Sequence, residues 1–515
     1  MTSNFTWLDA FVLVAYLVGV TALGMYFGRK QKNATDYFVA SHSIPWWALM
    51  LSIVATETSA LTFISTPGLS YGSTPGTGDL GFLQIVAGYI IGRIVVATVL
   101  LPRYFKGKMV TAYALLERRF GLGARRFTSI VFMVTRGLAD SVRVFATAIP
   151  IALIISPTVQ NKAFVMPAAI LILGALTVLY TYKGGMKAVV WTELLQASVY
   201  LLGALSAIVI LGMSVNGGWS AIFSQAAEAN KLRLIDTYVG FDRAHTIWAG
   251  LIGGAFLAMA SHGTDQLIVQ RLLSARNLRD GQKAIIGSGL VVFVQFSLFL
   301  MIGLGLWAFY QGRIFPLTDQ IFPMFIIDRM PPGLVGLIIA AVIAATMSTH
   351  SGAINSLAAA TTHDIYLPLT KRSADAPETL KAGKLFALIW GVVLTAGALL
   401  FPQESNTPVV VVALGIAAFT YGGLLGGFFL GVFWARANQR DAIIGMSVGI
   451  AAMSFVVFAR QISAWVPSLA ESLAPFASIA WPWYVLIGTS ITMATGILSS
   501  FTHAAPTAAQ TEARS

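Results

Sequence analysis

Runs of mostly apolar residues, each about the 20 residues that a membrane-crossing helix needs, recur along the whole chain. Thirteen can be marked, near 5–27, 45–70, 80–101, 126–156, 163–182, 187–213, 245–270, 284–310, 333–363, 383–401, 406–434, 440–459 and 481–499. This pattern predicts an all-α integral membrane protein of thirteen transmembrane helices. A single domain is expected over 1–500, followed by an Ala/Thr-rich tail at 501–515 that holds too few apolar residues to pack and is expected to be disordered. The first run does not read as a cleaved leader, because no basic residue lies between Met1 and Thr6 while Arg29, Lys30 and Lys32 follow the apolar stretch.

Composition agrees. Of 515 residues 57% are hydrophobic and only 10% charged, with a net charge of +12 and a mean hydropathy of +0.76, which excludes a soluble globular protein. Cysteine is absent, so disulfides, thiolate nucleophiles and cysteine metal sites are excluded too. An excess of Lys and Arg would suggest nucleic acid in a soluble protein. Here 23 of the 33 basic residues fall in loops assigned to the cytoplasm if the N-terminus is outside, seven in loops assigned to the exterior and three inside helices. That distribution follows the positive-inside rule and places the C-terminus in the cytoplasm, so the charge marks topology in a cell membrane rather than a nucleic-acid partner.

Four apolar runs are interrupted where a bilayer would be driest. Glu57 stands in Ala55-Thr-Glu57-Thr58-Ser59-Ala-Leu-Thr62, and a charge at mid-membrane needs a partner or a wet cavity. So polar a run marks either a discontinuous helix, whose freed backbone groups can hold ions, or a polar stripe packed on its neighbours. Arg136, Asp140 and Arg143 fall at i, i+4 and i+7 on one helical stripe. Asp140 can neutralise one of these arginines but not both, which leaves either a cation for a carboxylate or a structural bridge. The seventh run, Gly250-Leu-Ile-Gly253-Gly254 through Ser261-His262-Gly263-Thr264-Asp265-Gln266, is also broken, five helices after the first break. That spacing predicts inverted repeats over about 45–213 and 245–434, although glycines also serve close helix packing. In the ninth run Ala345, Ser348 and Thr349 converge a carbonyl and two hydroxyls on one face. Hard oxygens suit Na⁺, and such hydroxyls otherwise bond back to their own helix. Glu193 is a further intramembrane acid, able to complete a cation or proton site or to bridge to a base such as Lys187. His262 and His350 are candidates for proton relay or for hydrogen-bonded packing.

Several segments carry a family resemblance: Tyr180-Thr-Tyr-Lys-Gly184-Gly185 with Trp191-Thr-Glu-Leu-Leu-Gln196; Thr264-Asp-Gln266 with Gln270-Arg271; Met347-Ser-Thr349 with Asp364-Ile-Tyr366; and Gly426 to Trp434. Together they resemble the solute:sodium symporter family, which includes bacterial proline, galactose and sialic acid transporters. The resemblance runs from about Phe5 to Leu498 and implies the LeuT-like five-plus-five inverted repeat, with one extra helix before the core and two after it. It implies a principal sodium site at Ala55, Thr58, Ala345, Ser348 and Thr349, and a second at Glu193 and Ser351, where Gly352 lacks the hydroxyl some relatives use. A solute pocket is implied at Glu57, Ser59, Thr62, Gln84, Arg143, Asp265 and Gln295. Sugar-transporting relatives tend to carry Asn and Lys at the last two positions, whereas the arginine resembles the carboxylate-pairing residue of sialic acid transporters.

The expected function is therefore sodium-coupled import of a small organic solute, carboxylate-bearing and of the sugar-acid kind, by alternating access. Proton coupling through Glu193, His262 or His350, a neutral sugar or amino acid as solute, and a non-transporting sensor are the rivals. No enzyme motif is present: neither a His-Glu-x-x-His metal motif nor a framed serine nucleophile occurs.

Overall fold

The computed structural model describes residues 5–27, 43–57, 60–72, 74, 76–106, 109–156, 159, 161–181, 186–374, 376–401 and 409–504. The described chain is helical apart from its connections and one isolated bridge between Ile44 and Ala275. The long helices are α1 (Trp7–Phe27), α2 (Trp46–Glu57), α3 (Ala60–Tyr71), α4 (Phe82–Tyr104), α5 (Leu122–Ile155), α6 (Val165–Thr181), α7 (Met186–Ser214), α8 (Ala249–Gly263), α9 (Gln266–Leu273), α10 (Leu278–Phe309), α11 (Leu334–Thr370), α12 (Pro377–Leu399), α13 (Val409–Phe433), α14 (Gln439–Val457) and α15 (Trp483–Ser500). Among the described residues eight helices are long and apolar enough to cross a membrane, or nine if the bent pair α2/α3 is one span. Of the expected tail, 501–504 are described and the rest lies outside the described residues.

Two of the four interruptions, in the second and seventh runs, are breaks in helices, whereas the fourth and ninth runs are continuous helices. α2 and α3 meet at 59° around the Thr/Ser run, where poor helix formers weaken the ladder. α8 ends at Gly263, Asp265 leaves helical space at φ −79° and ψ 123°, and its carboxylate accepts from Leu267 N at 2.8 Å to cap α9. An aspartate at that position satisfies one of the N–H groups that a new helix leaves open.

α4 and α8 lie backbone to backbone. A Cβ on Gly88 would collide with the Gly250 carbonyl, one on Gly250 would come within 2.6 Å of the Gln84 backbone, and one on Gly254 would strike the Ile85 carbonyl. The glycines of the seventh run thus serve close packing. The same device recurs among α13, α14 and α15, where Gly422 and Gly488 face each other and Gly449 faces Thr492. At the other end of the chain, buried Asp9 on α1 accepts from Gly333 N at 2.7 Å and Gly336 N at 2.8 Å, tying α1 to the start of α11. The result sets both broken helices at the middle of the bundle, walled by α4, α5, α10, α11 and α13.

Candidate solute and sodium site

A cavity opens at the two breaks. Its walls are Thr56 and Glu57 at the end of α2, Thr62 on α3, Tyr89 on α4, and Arg136, Ala139 and Arg143 on α5. Leu257, Ser261, His262, Asp265 and Ile268 line it from α8 and α9, with Phe296 on α10 and Ala417 and Tyr421 on α13. Four of these are charged, with His262 beside them, so the cavity is polar at its ends and aromatic or aliphatic between them.

At one end the charges are closed on themselves. Glu57 is paired with Arg93, which is fully buried on α4 and fits beside Gly289 of α10. His262 Nε2 lies 3.4 Å from the same carboxylate and 3.1 Å from Arg93, and its Nδ1 lies 2.8 Å from Ser261 Oγ. This cluster joins the two break points, because Glu57 ends α2 and His262 is in the last turn of α8. At the other end Asp265 takes the Tyr421 hydroxyl and sits 3.3 Å from Arg136. Arg136 Nε is also 2.9 Å from Asp140. Arg143 differs in its ion pair: among the described residues it has only Asp140, at 3.6 Å, too long for a hydrogen bond, and its Nε and Nη1, like those of Arg93, have no hydrogen-bond partner among the described residues.

The expected sodium face lies behind Arg143. A second, smaller cavity is lined by Asp140, Arg143, Val144, Thr147, Thr346, Thr349 and His350. Thr346 donates to Thr147 at 2.9 Å, while the Thr349 hydroxyl and both nitrogens of His350 are buried with no hydrogen-bond partner among the described residues. Ala55 is buried at the end of α2 and Ala345 is partly buried on α11, which packs on both α2 and α3. Thr58 and Ser59 lie outside the described residues, as does the side chain of Ser348.

Glu193 does not face an open site. Arg271 Nη2 donates to it at 2.7 Å, Thr56 Oγ1 at 3.3 Å, and Ser52 also donates to it. Arg271 further bonds Ser52 Oγ at 3.2 Å and the Leu267 carbonyl at 2.8 Å. A Cβ on Gly352 would stand 2.8 Å from Arg271 Nη2, so the missing side chain leaves room for the guanidinium. Ser351 is buried beside it in sequence on α11.

Of the solute residues read from the sequence, Glu57, Thr62, Arg143 and Asp265 share the cavity. Gln84 does not line it: in the first turn of α4 its amide donates to the His245 carbonyl at 3.0 Å and accepts from Asp236 N at 3.2 Å, bracing a connecting segment. Gln295 is buried on α10 without a hydrogen-bond partner among the described residues and is not a wall residue, the place being taken by Phe296. Arg93, Arg136 and Tyr421 were missed as site residues. A lone arginine within an apolar run is a strong signal, and Arg93 was open to that argument. Nothing in the sequence distinguishes Tyr421 from any other membrane tyrosine.

Against known proteins, the model of the family described as "Sodium:solute symporter family" matches residues 37–449. The sodium/sialic acid symporter NanT of Aliivibrio fischeri is 30% identical over 467 residues, covering 89% of this chain and 90% of that protein. Sodium-coupled monocarboxylate transporter 2 of Bos taurus is 26% identical over 536 residues, 97% of this chain and 84% of the other. A solved structure of a Na⁺-coupled sialic acid symporter, substrate-bound and outward-open, superposes with a TM-score of 0.81 at 28% identity, covering 97% and 99% of the two chains.

Proposed function

The chain belongs to the sodium:solute symporter family and is a sodium-coupled symporter, and we propose that its solute is a small organic carboxylate without a free ammonium group, such as a sugar acid. The observation that carries this reading is an asymmetry of partners. Arg143 faces the cavity with two donor nitrogens unused among the described residues, while the two acids on the cavity wall are engaged, Glu57 by Arg93 and His262, Asp265 by Arg136, Tyr421 and Leu267 N. An open guanidinium suits a carboxylate, which its planar fork can hold with two bonds. An amino acid's ammonium would find no acid on the wall of this cavity, among the described residues, that is not already engaged by a base or hydroxyl. The names of NanT and of the monocarboxylate transporter are those of acid carriers, which supports the same class.

Sodium is assigned to the α2–α3 break and α11, with Ala55, Thr58, Ala345, Ser348 and Thr349 as its oxygens; the unpartnered Thr349 hydroxyl supports it. We infer one sodium rather than two, since Glu193 already carries the guanidinium of Arg271. Sodium between the broken helix and α11 favours the outward-open form and so raises solute affinity, and linkage makes the effect reciprocal. Thirteen spans, an outside N-terminus, and repeats over 45–213 and 245–434 complete the proposal. Helices in all thirteen apolar stretches, and two breaks in corresponding places, support it.

A thermal-shift screen of purified protein in NaCl and in choline chloride, against sugar acids, monocarboxylates, amino acids and neutral sugars, tests the reading. A ligand of the folded state raises its apparent stability with the logarithm of its concentration. Carboxylates should raise melting in NaCl and not in choline chloride. A neutral sugar or an amino acid as the only hit would sink the assignment of Arg143.

A further inference from the structure

Arg143 borders two cavities, with the central one on one side and, on the other, the small one that contains the Thr349 hydroxyl. Asp140 stands at this partition. Its carboxylate lies 2.9 Å from Arg136 Nε and 3.6 Å from Arg143 Nε, and it lines the small cavity together with Thr349 and His350. Arg136 has a second acid, Asp265, at 3.3 Å, so Arg143 is the arginine that depends on Asp140 alone.

Resting on the site reading above, we propose that Asp140 is the coupling residue: it quenches Arg143 when sodium is absent and serves as counter-ion to sodium when it is present, so that solute affinity depends on sodium. The charges around the two cavities call for a device of this kind. Glu57 with Arg93, and Glu193 with Arg271, are closed pairs. Among the described residues that line the two cavities, what remains is two arginines, 136 and 143, against two acids, 140 and 265, a neutral set. Adding a monoanion alone makes the set negative, and adding Na⁺ alone makes it positive. Only the two together restore neutrality, and an uncompensated charge in a membrane interior is strongly disfavoured. Asp140 lies where both additions are felt, because one of its neighbours is Arg143 and another wall of its cavity is Thr349. Sodium near Asp140 takes up that acid's charge and leaves the charge of Arg143 uncompensated, and the Nε and Nη1 of Arg143, already without hydrogen-bond partners among the described residues, then take the solute carboxylate.

The proposal gives signs that a merely structural role does not. Asp140→Asn removes the quench, so a carboxylate binds without sodium, and sodium, losing its counter-ion, binds at least tenfold more weakly. Arg143→Gln frees Asp140 and should tighten sodium several-fold while solute binding is lost. The experiment is a sodium titration by thermal shift on the purified full chain, without solute, for wild type, Asp140→Asn, Arg143→Gln and Thr349→Ala. Sialic acid is then titrated as the probe carboxylate in NaCl and in choline chloride. For the wild type, sodium should raise sialic acid affinity by roughly the 5- to 150-fold usual for coupled sites, and for Asp140→Asn by less than twofold. An Asp140→Asn protein that keeps the wild-type ratio or the wild-type sodium titration overturns the inference. If that variant does not fold, weakened or unchanged sodium binding in Arg143→Gln overturns it instead. A Thr349→Ala protein with an unaltered sodium titration defeats the underlying site reading, a separate outcome from failure of Asp140.

Discussion

Arginines 93, 136 and 143 lie well inside apolar runs rather than at their edges, and their surroundings differ in three ways. Arg93 is a closed partner, sealed against Glu57 and His262 with no exposure. Breaking a buried pair from one side leaves the other charge uncompensated, at about 3–5 kcal/mol. Glu57→Gln should therefore melt well below wild type. Adding Arg93→Met to it should recover much of the loss, because paired residues are not additive; a double variant that melts at the sum of the two single losses would show that the pair is not coupled. Arg136, held between two acids, is a wall of the site rather than its hook. Arg143 lines the central cavity with Nε and Nη1 unpartnered among the described residues, and the proposed solute would meet its charge there. Replacing it with Lys retains the charge but loses the fork. Uptake of the solute found by the screen should then fall by roughly 10-fold or more, the worth of a 1.4 kcal/mol contact; full uptake would mean that only a point charge is needed.

Elements carry the next layer. α4 and α8 approach each other closely, and glycine is required there because a methyl group would occupy the space of a carbonyl oxygen. Gly88→Ala should push the helices apart, lower expression and reduce the melting temperature, and it should do so equally with and without sodium. A variant of normal stability that had lost only transport would point to motion between these helices rather than packing. After α15, outside the membrane-spanning helices, His503 Nδ1 meets the Ala504 carbonyl at 2.9 Å and Nε2 lies 2.8 Å from the Asp441 carboxylate at the start of α14. The Ala504 carbonyl first, and then Asp441, hold the pKa of His503 above the ordinary imidazole value. A raised folded-state pKa makes the contact stabilising below the ordinary value of about 6.5, with the benefit lost as pH rises through the folded value. The melting difference between wild type and His503→Ala should accordingly be larger near pH 5.5 than near pH 8.5. Equal differences at both would mean that the contact holds without the charge.

On the scale of the whole molecule, transport couples two ligands through one bistable core. Thr349→Ala should weaken the sodium dependence of uptake while leaving the protein folded, as judged by sodium-free melting. Retention of full sodium sensitivity would remove Thr349 from the sodium site. The long apolar runs, their interruptions at Glu57 and near Thr264-Asp265, and the family resemblance were all legible in the sequence, because hydropathy and helix propensity are local properties. So were Arg143 and Thr349 as chemistry, since a charge or a cluster of hydroxyls in an apolar run needs an explanation wherever it occurs. What partners those charges found was not legible. The closing of Glu57 by Arg93, the filling of the space beside Gly352 by Arg271, the retreat of Gln84 to a connecting segment and the entry of Tyr421 each depend on helices distant in sequence meeting at one depth. A helix presents its polar residues by period alone, but which of them remains uncommitted is decided by what packs opposite, and only the tertiary structure sets Arg143 between the central cavity and Thr349.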